Sequence, residues 1–205
     1  MLDGKEYLIL DNFLPDSLLS TLYNAASFGK NWTYNPNSSG LEEHVLEKFG
    51  PNPKIKLDAD QFVYPVYDAQ HNVFDQNLWP DVKAVLYFLE HATGYKVVWL
   101  DRIKVNFLWK DANNDGKYHP PHLDYPDADA LSMVLYLNDS DGDTVLFDKK
   151  LKEGTMFDLK EIYRSSPKRG KAIIFHSNRF HSSSNPEINK ERFIINFTFK
   201  VEKNE

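Results

Sequence analysis

Hydrophobic positions along this chain fall into two regimes. Before about residue 95 they recur at helical spacing or without a period, and after it they come as short strand-like runs. The opening run, residues 7–14 (YLILDNFL), predicts a strand leading into Pro15-Asp16, where a helix begins with Leu18, Leu19 and Leu22 at helical spacing. Val82, Val85, Leu86 and Leu89 form one apolar stripe, which predicts a second helix over about 80–91, stopped near Gly94. Between the two helices, 28–78 is rich in Asn, Pro, Gly and aromatics and shows no sustained period. It predicts long loops with short strands around 62–67.

From residue 96 the runs are KVVWL, DRIKVNFLW, ALSMVLYLN, DTVLFD, GTMFDL, KAIIFH and RFIINFTFKV, separated by turn residues. Seven short β-rich runs predict a sandwich or a closed double sheet. Helices first and strands afterwards predict an α+β arrangement, mainly β, with the N-terminal helices packed on one face of the sheet. One domain over 1–205 is expected, with a helical and loop-rich support over 1–95 and a β core over 96–201.

Composition narrows the chemistry. The chain is 41% hydrophobic and 14% aromatic, enough for a packed core, and its net charge of −6 speaks against a general nucleic-acid binder. No apolar run reaches the roughly 18 residues of a membrane helix. The N-terminus MLDGKEYLILDNFLPD lacks a basic segment followed by an apolar stretch, so export is not expected. The expected setting is a reducing cytoplasm, that of the host if the gene is phage-borne. There are no cysteines, which leaves His, Asp and Glu as the side chains for any metal. Charge is uneven: 111–143 carries eight Asp against one Lys, and 149–171 carries eight Lys or Arg against three acids, a pattern of solvated turns.

His122-Leu123-Asp124 places an imidazole and a carboxylate two residues apart, on one face of an extended segment. With seven His and 19 Asp in the chain such a tripeptide is close to a chance event, so its weight depends on company. The run GKAIIFHSNRFHSSSNP supplies it: an apolar strand at 171–175 ends in a polar turn that delivers His181. Two histidines and one carboxylate bind one face of an octahedral Fe(II) and leave positions open, although hydrolytic zinc uses a similar set. His119 and His176 compete as ligands; His44, His71 and His91 carry no assigned role. Arg192, one of only five arginines, lies eleven residues after His181 at the start of RFIINFTF, where a bidentate cation can meet the far carboxylate of a dicarboxylate. A zinc hydrolase has no need of it. Asp111-Ala112-Asn113-Asn114-Asp115-Gly116 imitates the start of a calcium loop, but the twelfth position is His122 rather than Glu, so a turn is expected. Trp32, Tyr34, Tyr64 and Tyr67 fall where substrate-covering segments belong, and equally where core aromatics belong.

The string from Tyr118 through His122-Leu123-Asp124, Tyr136-Leu137-Asn138, Gly142-Asp143-Thr144, Phe147, Pro167, Gly170, Phe175, His181 and Arg192 resembles the iron- and 2-oxoglutarate-dependent oxygenases. It is most similar to the branch containing prolyl 4-hydroxylases and their small bacterial and phage-borne relatives, and YLILDNFLPDSLLSTLYN is similar to that branch's first strand and helix. The likeness covers roughly 6–25 and 98–200. It implies a double-stranded β-helix (a jelly roll, cupin-like), with His122, Asp124 and His181 holding Fe(II) and Arg192 holding the C5 carboxylate of 2-oxoglutarate. It also implies that Asn106 and Tyr118 contact the cosubstrate. Two positions depart from the pattern: Leu108 stands where tyrosine is frequent, and Ile194 where Ser or Thr frequently follows the arginine by two. The implied reaction uses O2 and 2-oxoglutarate to hydroxylate a protein side chain, such as a prolyl group, or a small molecule, releasing succinate and CO2. A cupin-type metal hydrolase or isomerase and a non-catalytic barrel module are the competing readings. The expected partners are 2-oxoglutarate and one organic substrate, without membrane or nucleic acid.

Overall fold

The structure, a computed structural model, describes residues 1–29, 31–37, 39–49, 52–57 and 60–203. Parts of the 28–78 stretch (30, 38, 50–51 and 58–59) therefore lie outside the described residues. In chain order the elements are β1 (Tyr7–Leu10), α1 (Asp16–Ser27), β2 (Thr33–Asn35), α2 (Glu43–Leu46) with a 3-10 turn at Glu47–Phe49, β3 (Gln61–Asp68), β4 (Asn72–Val73) and α3 (Trp79–Thr93). There follow β5 (Tyr95–Trp109), β6 (Leu131–Tyr136), β7 (Thr144–Lys150), β8 (Glu161–Ser165), β9 (Ala172–His176), β10 (Arg179–Ser183) and β11 (Glu191–Lys203).

Two antiparallel sheets result. The larger runs β1-β9-β6-β11-β5-β3-β2, with β4 on β3, and the smaller runs β10-β7-β8. This is the jelly-roll arrangement, mostly strand with few helices. The period of two along the central strands sorts side chains between two cores. In β11, Phe193, Ile195, Phe197 and Phe199 join Met133 and Leu135 of β6, Ile103 and Val105 of β5, and the apolar faces of α1 and α3 in the main core. The alternate positions, Ile194 of β11, Val134 and Tyr136 of β6, and Ile173 and Phe175 of β9, meet Leu146 of β7 in a second core between the sheets. A third cluster of Ile55, Tyr118, Val145, Phe147 and Phe180 includes the smaller sheet.

Both helices form as their stripes require. The acid Asp16 in the first turn of α1 complements the helix dipole. Gly94 closes α3 at φ +71, a left-handed turn that costs glycine nothing, with its N–H on Glu90 O at 2.9 Å. Leu19, Leu22, Val82, Val85 and Leu89 are buried against the sheet.

Several boundaries differ from the sequence expectation. The first strand stops at Leu10 rather than 14, because Asn12 at φ +51 turns the chain out of the ladder. KVVWL and DRIKVNFLW are one strand: β11 pairs across the join, Thr198 with Arg102 and Phe199 with Leu100, and a bulge absorbs Asp101. GTMFDL is not a strand. Its Met156 and Leu159 pack on the third cluster from a turn, and the ladder begins at Glu161, whose segment EIYRS alternates too weakly to be legible. The polar turn expected around His181 is the strand β10, paired with β7.

Candidate metal centre

The alternation that feeds the main core turns the polar members of the same strands into a cavity between the sheets. In R-F-I-I-N-F-T-F, the residues that alternate with the core phenylalanines and Ile195 are Arg192, Ile194, Asn196 and Thr198. Arg192, Ile194 and Asn196 line the cavity with Lys104 and Asn106 of β5, Val134 of β6, Thr144 of β7, and His122, Asp124 and His181.

His122 and His181 are brought together by one isolated bridge: His122 N–H donates to His181 O at 2.9 Å and His181 N–H to His122 O at 3.0 Å. Their rings lie 4.5 Å apart, centroid to centroid. One ligand atom each of His122, Asp124 and His181 falls within 4.8 Å of the others, a span that one ion can bridge. The Nδ1 of His181 is 3.0 Å from Arg179 O, which makes it the protonated nitrogen and leaves the Nε2 lone pair facing Asp124 Oδ2 at 3.4 Å. Burial, reinforced by His181, pushes the His122 imidazole down to about 3, so it is neutral with a free lone pair at ordinary pH.

Asp124 is almost wholly buried, with 2% of its side chain exposed. Burial by itself raises its carboxyl, but the attraction of His181, Arg102, Lys104 and His122 outweighs this and holds it well below the usual carboxylate range. Three donors hold it in place: Arg102 on Oδ1 at 3.2 Å, and Ser132 Oγ (2.6 Å) and Asn196 Nδ2 (3.1 Å) on Oδ2. A carboxylate fixed so tightly presents a preset lone pair rather than a mobile one.

Arg192 occupies another end of the cavity. It is 3% exposed, donates from an Nη to Thr144 Oγ1 at 2.8 Å, and lies 5.8 Å over the Tyr136 ring, while its Nε has no partner. A buried guanidinium with an unused donor, facing a cavity, suits an anion brought in from outside. Gly142 lies behind it: a Cβ there would meet Ser184 O at 2.6 Å, Pro186 N at 2.9 Å and the Cδ of Arg192 at 3.0 Å. Gly142→Ala is expected to lower stability by about 1–3 kcal/mol through this overpacking; denaturant unfolding measures it, and an unchanged midpoint would show that the 184–186 segment yields freely.

Of the other expected positions, Asn106 lines the cavity, donating to Gln61 Oε1 at 2.9 Å with its own Oδ1 unpartnered. Tyr118 is not brought to the cavity lining. Its ring packs edge-on against Phe147 in the third cluster, and burial raises its phenol. Neither competing histidine joins the triad: buried His119 meets Asn185 and Ser183, and His176 Nδ1 is 3.1 Å from Ala128 O. Sequence reasoning missed Ser132, Asn196, Arg102 and Thr144. The available signal was a lone polar residue inside an apolar run, as in LSMVLY and FIINFTF.

The donor set and the unpaired guanidinium can be set beside known proteins. Residues 107–200 match the family model of the 2OG-Fe(II) oxygenase superfamily. By this match, which spans a little under half of its length, the chain carries a 2OG-Fe(II) oxygenase domain. It is an oxygenase with iron and 2-oxoglutarate as its cofactors, and the hydrolase and binding-module readings of a bare triad fall away. An oxidoreductase of the 2OG-Fe(II) oxygenase family from Burkholderia pseudomallei has a similar structure, with a TM-score of 0.65, 13% identity, and 97% of this chain and 87% of that one covered. A Trichoplax adhaerens prolyl hydroxylase, solved with a hypoxia-inducible-factor peptide, is similar at a TM-score of 0.59 and 14% identity, covering 99% and 87%. The nogalamycin-biosynthesis epimerase SnoN, solved with Fe3+ and alpha-ketoglutarate, is similar at 0.58 and 11%, covering 97% and 80%. At these identities the likeness is one of fold. A comparison with curated proteins found no match.

Proposed function

We propose that the chain is a hydroxylase that couples oxidation of an organic substrate, a protein side chain or a small molecule, to conversion of 2-oxoglutarate into succinate and CO2. The observation that carries this is the His122, Asp124 and His181 cluster sharing one buried cavity with the half-satisfied Arg192. His122, Asp124 and His181 would hold the iron, which supplies the oxygen-activating chemistry when bound.

The protein's own part is positional. His181 keeps its proton on Nδ1 through Arg179 O and offers Nε2. Ser132, Asn196 and Arg102 fix both oxygens of Asp124, so the carboxylate neither rotates nor takes up a proton. Arg192 would receive the C5 carboxylate of 2-oxoglutarate with Thr144 as its brace; 2-oxoglutarate offers only acceptors, so a contact from Asn106 would have to come from its Nδ2, which here donates to Gln61 Oε1. The geometry supports no such role for Tyr118.

The chain is read as one domain acting in the cytoplasm. Among the described residues no helix is long and apolar enough to cross a membrane.

The test is a screen of amino acids, peptides and nucleosides for stimulated succinate release, with mass analysis of the product. One class should raise succinate well above the substrate-free rate and gain one oxygen atom. Product formed without succinate would sink the reading, and a product that gains no oxygen would replace hydroxylation by another oxidative outcome.

A further inference from the structure

A second depression opens beside the metal cavity. It has a volume of about 490 Å3, within the range of small-molecule sites, and lies over the β2–β3–β5 part of the larger sheet. Its apolar walls are Tyr34, Pro36, Pro65, Tyr67 and Phe74; its charged lining is Asp68, which meets His71, Arg102, which is held on Asp124 at 3.2 Å, and Lys104. Tyr34 and Phe74 both line it and expose about half of their surface, 53% and 48%. Tyr67 is held rigid by stacking on Trp79 at 5.2 Å.

The groove and the metal cavity share one lining residue, Lys104. Its ladder partners explain why: it pairs with Asn196 of β11 on the metal side and with Pro65 of β3 on the groove side. Among the described residues its ammonium makes no hydrogen bond and no ion pair. The counter-charge acting on it is that of Asp124, which is already engaged by Arg102, Ser132 and Asn196. A cation half-withdrawn from water without its own anion is at a disadvantage that an anionic ligand would relieve. Arg192 does not serve the same end of the site. It pairs with Leu108, four positions along β5 from Lys104, or about 13 Å of strand.

We propose that Lys104 is the specificity-determining residue for substrate: it receives the carboxylate of a small organic acid whose aromatic or aliphatic body lies in the Tyr34–Phe74 groove. The acid would thus lie between the groove and the metal ligands. This rests on the oxygenase reading above only for its meaning; the binding itself needs neither iron nor 2-oxoglutarate.

The test titrates the full chain, metal-free, with 3-phenylpropionate and with its neutral isostere 3-phenylpropionamide in a calorimeter. The wild type should bind the acid at least about tenfold more tightly than the amide, the span of one charged hydrogen bond. Lys104→Met should erase that preference while leaving amide binding unchanged, which also shows that the variant is folded. Lys104→Arg should retain it, and Phe74→Ser should weaken acid and amide by a similar factor. The proposal is overturned if the preference survives in Lys104→Met, or if it disappears only in Arg192→Ala, which would put the acid in the cosubstrate's place. It is equally overturned by no acid binding in the millimolar range, or by a blocked proline-containing peptide that binds better than the acid whether or not Lys104 is present. Substrate-free succinate release by Lys104→Met, measured alongside, reads the oxygenase assignment separately: its loss in every variant and in the wild type counts against that assignment and leaves the binding result standing.

Discussion

Replacing His181 by alanine is expected to abolish tight Fe(II) binding, lowering affinity by more than about 100-fold, since even residues behind a metal ligand are typically worth 10–100-fold. The reasoning starts from the bridge that unites His122 and His181 through two backbone hydrogen bonds. Those bonds survive the substitution, so the 120–124 segment should stay docked on β10 and the loss should be that of one donor. What remains, one imidazole and one carboxylate, is a weak pair with no third point to define a face. Anaerobic equilibrium dialysis measures the affinity, and an unfolding curve close to that of the wild type separates ligand loss from collapse. Undiminished iron affinity would show that the second histidine lies elsewhere. Neither alternative is well placed: His119 is committed to Asn185 and Ser183, and His176 sits at the end of β9 near Ala128.

How much of this was legible in the sequence depends on where each residue's partners lie. α3 was readable because its stripe of Val82, Val85, Leu86 and Leu89 is local and all four face one core. The β core was readable as runs, yet its joins were not. Asp101 looks like a strand breaker, and only the ladder with β11 shows that a bulge carries the strand through it. β10 was misread as a turn because RFHSS is polar, although four of its five residues are buried. That burial is possible because Arg179 reaches Phe147 O and Glu6, and because Ser182 donates to His119 O. Strand propensity cannot reveal a polar strand whose hydrogen bonds are satisfied by distant segments.

The sequence pointed to His122, Asp124, His181 and Arg192, which the fold brings to one cavity, and was opaque in what supports them. Asp124 is held by Arg102 from β5, Ser132 from β6 and Asn196 from β11, three residues separated by up to 94 positions that only sheet topology unites. Tyr118 shows the opposite failure. Its place in the motif string suggested a cosubstrate contact, but the chain at 118 pairs with the 54–56 segment and turns the ring into the third cluster. That segment belongs to the stretch with no readable period, so nothing local could have shown the competition. Nothing local in DRIKVNFLW singles out Lys104, whose place is defined by the groove that β2 and β3 build beside it.

Arg192→Ala should raise the 2-oxoglutarate requirement by roughly 30-fold to more than 1,000-fold, the range for removing one partner of a buried charge pair at about 2–5 kcal/mol. Iron affinity without cosubstrate should stay within a few-fold of the wild type, because no hydrogen bond links Arg192 to His122, Asp124 or His181. The expected asymmetry follows from how the guanidinium is held. Thr144 takes one Nη, the Tyr136 ring covers a face and Nε is unspent, so much of its donor capacity is reserved for a ligand. Burial already lowers its pKa, and a dicarboxylate arriving there relieves that penalty as it binds. Arg192→Lys should recover part of the loss, since a point charge replaces a planar fork without its bidentate geometry. Saturation curves for 2-oxoglutarate against succinate release, beside iron titrations, measure both quantities. An unchanged requirement in Arg192→Ala would transfer the anchor to Lys104, the other cation of the cavity, and would count against its assignment to substrate. The two cations are therefore tested against each other: each variant should disturb one ligand and spare the other, and a swap of those effects would reverse both assignments.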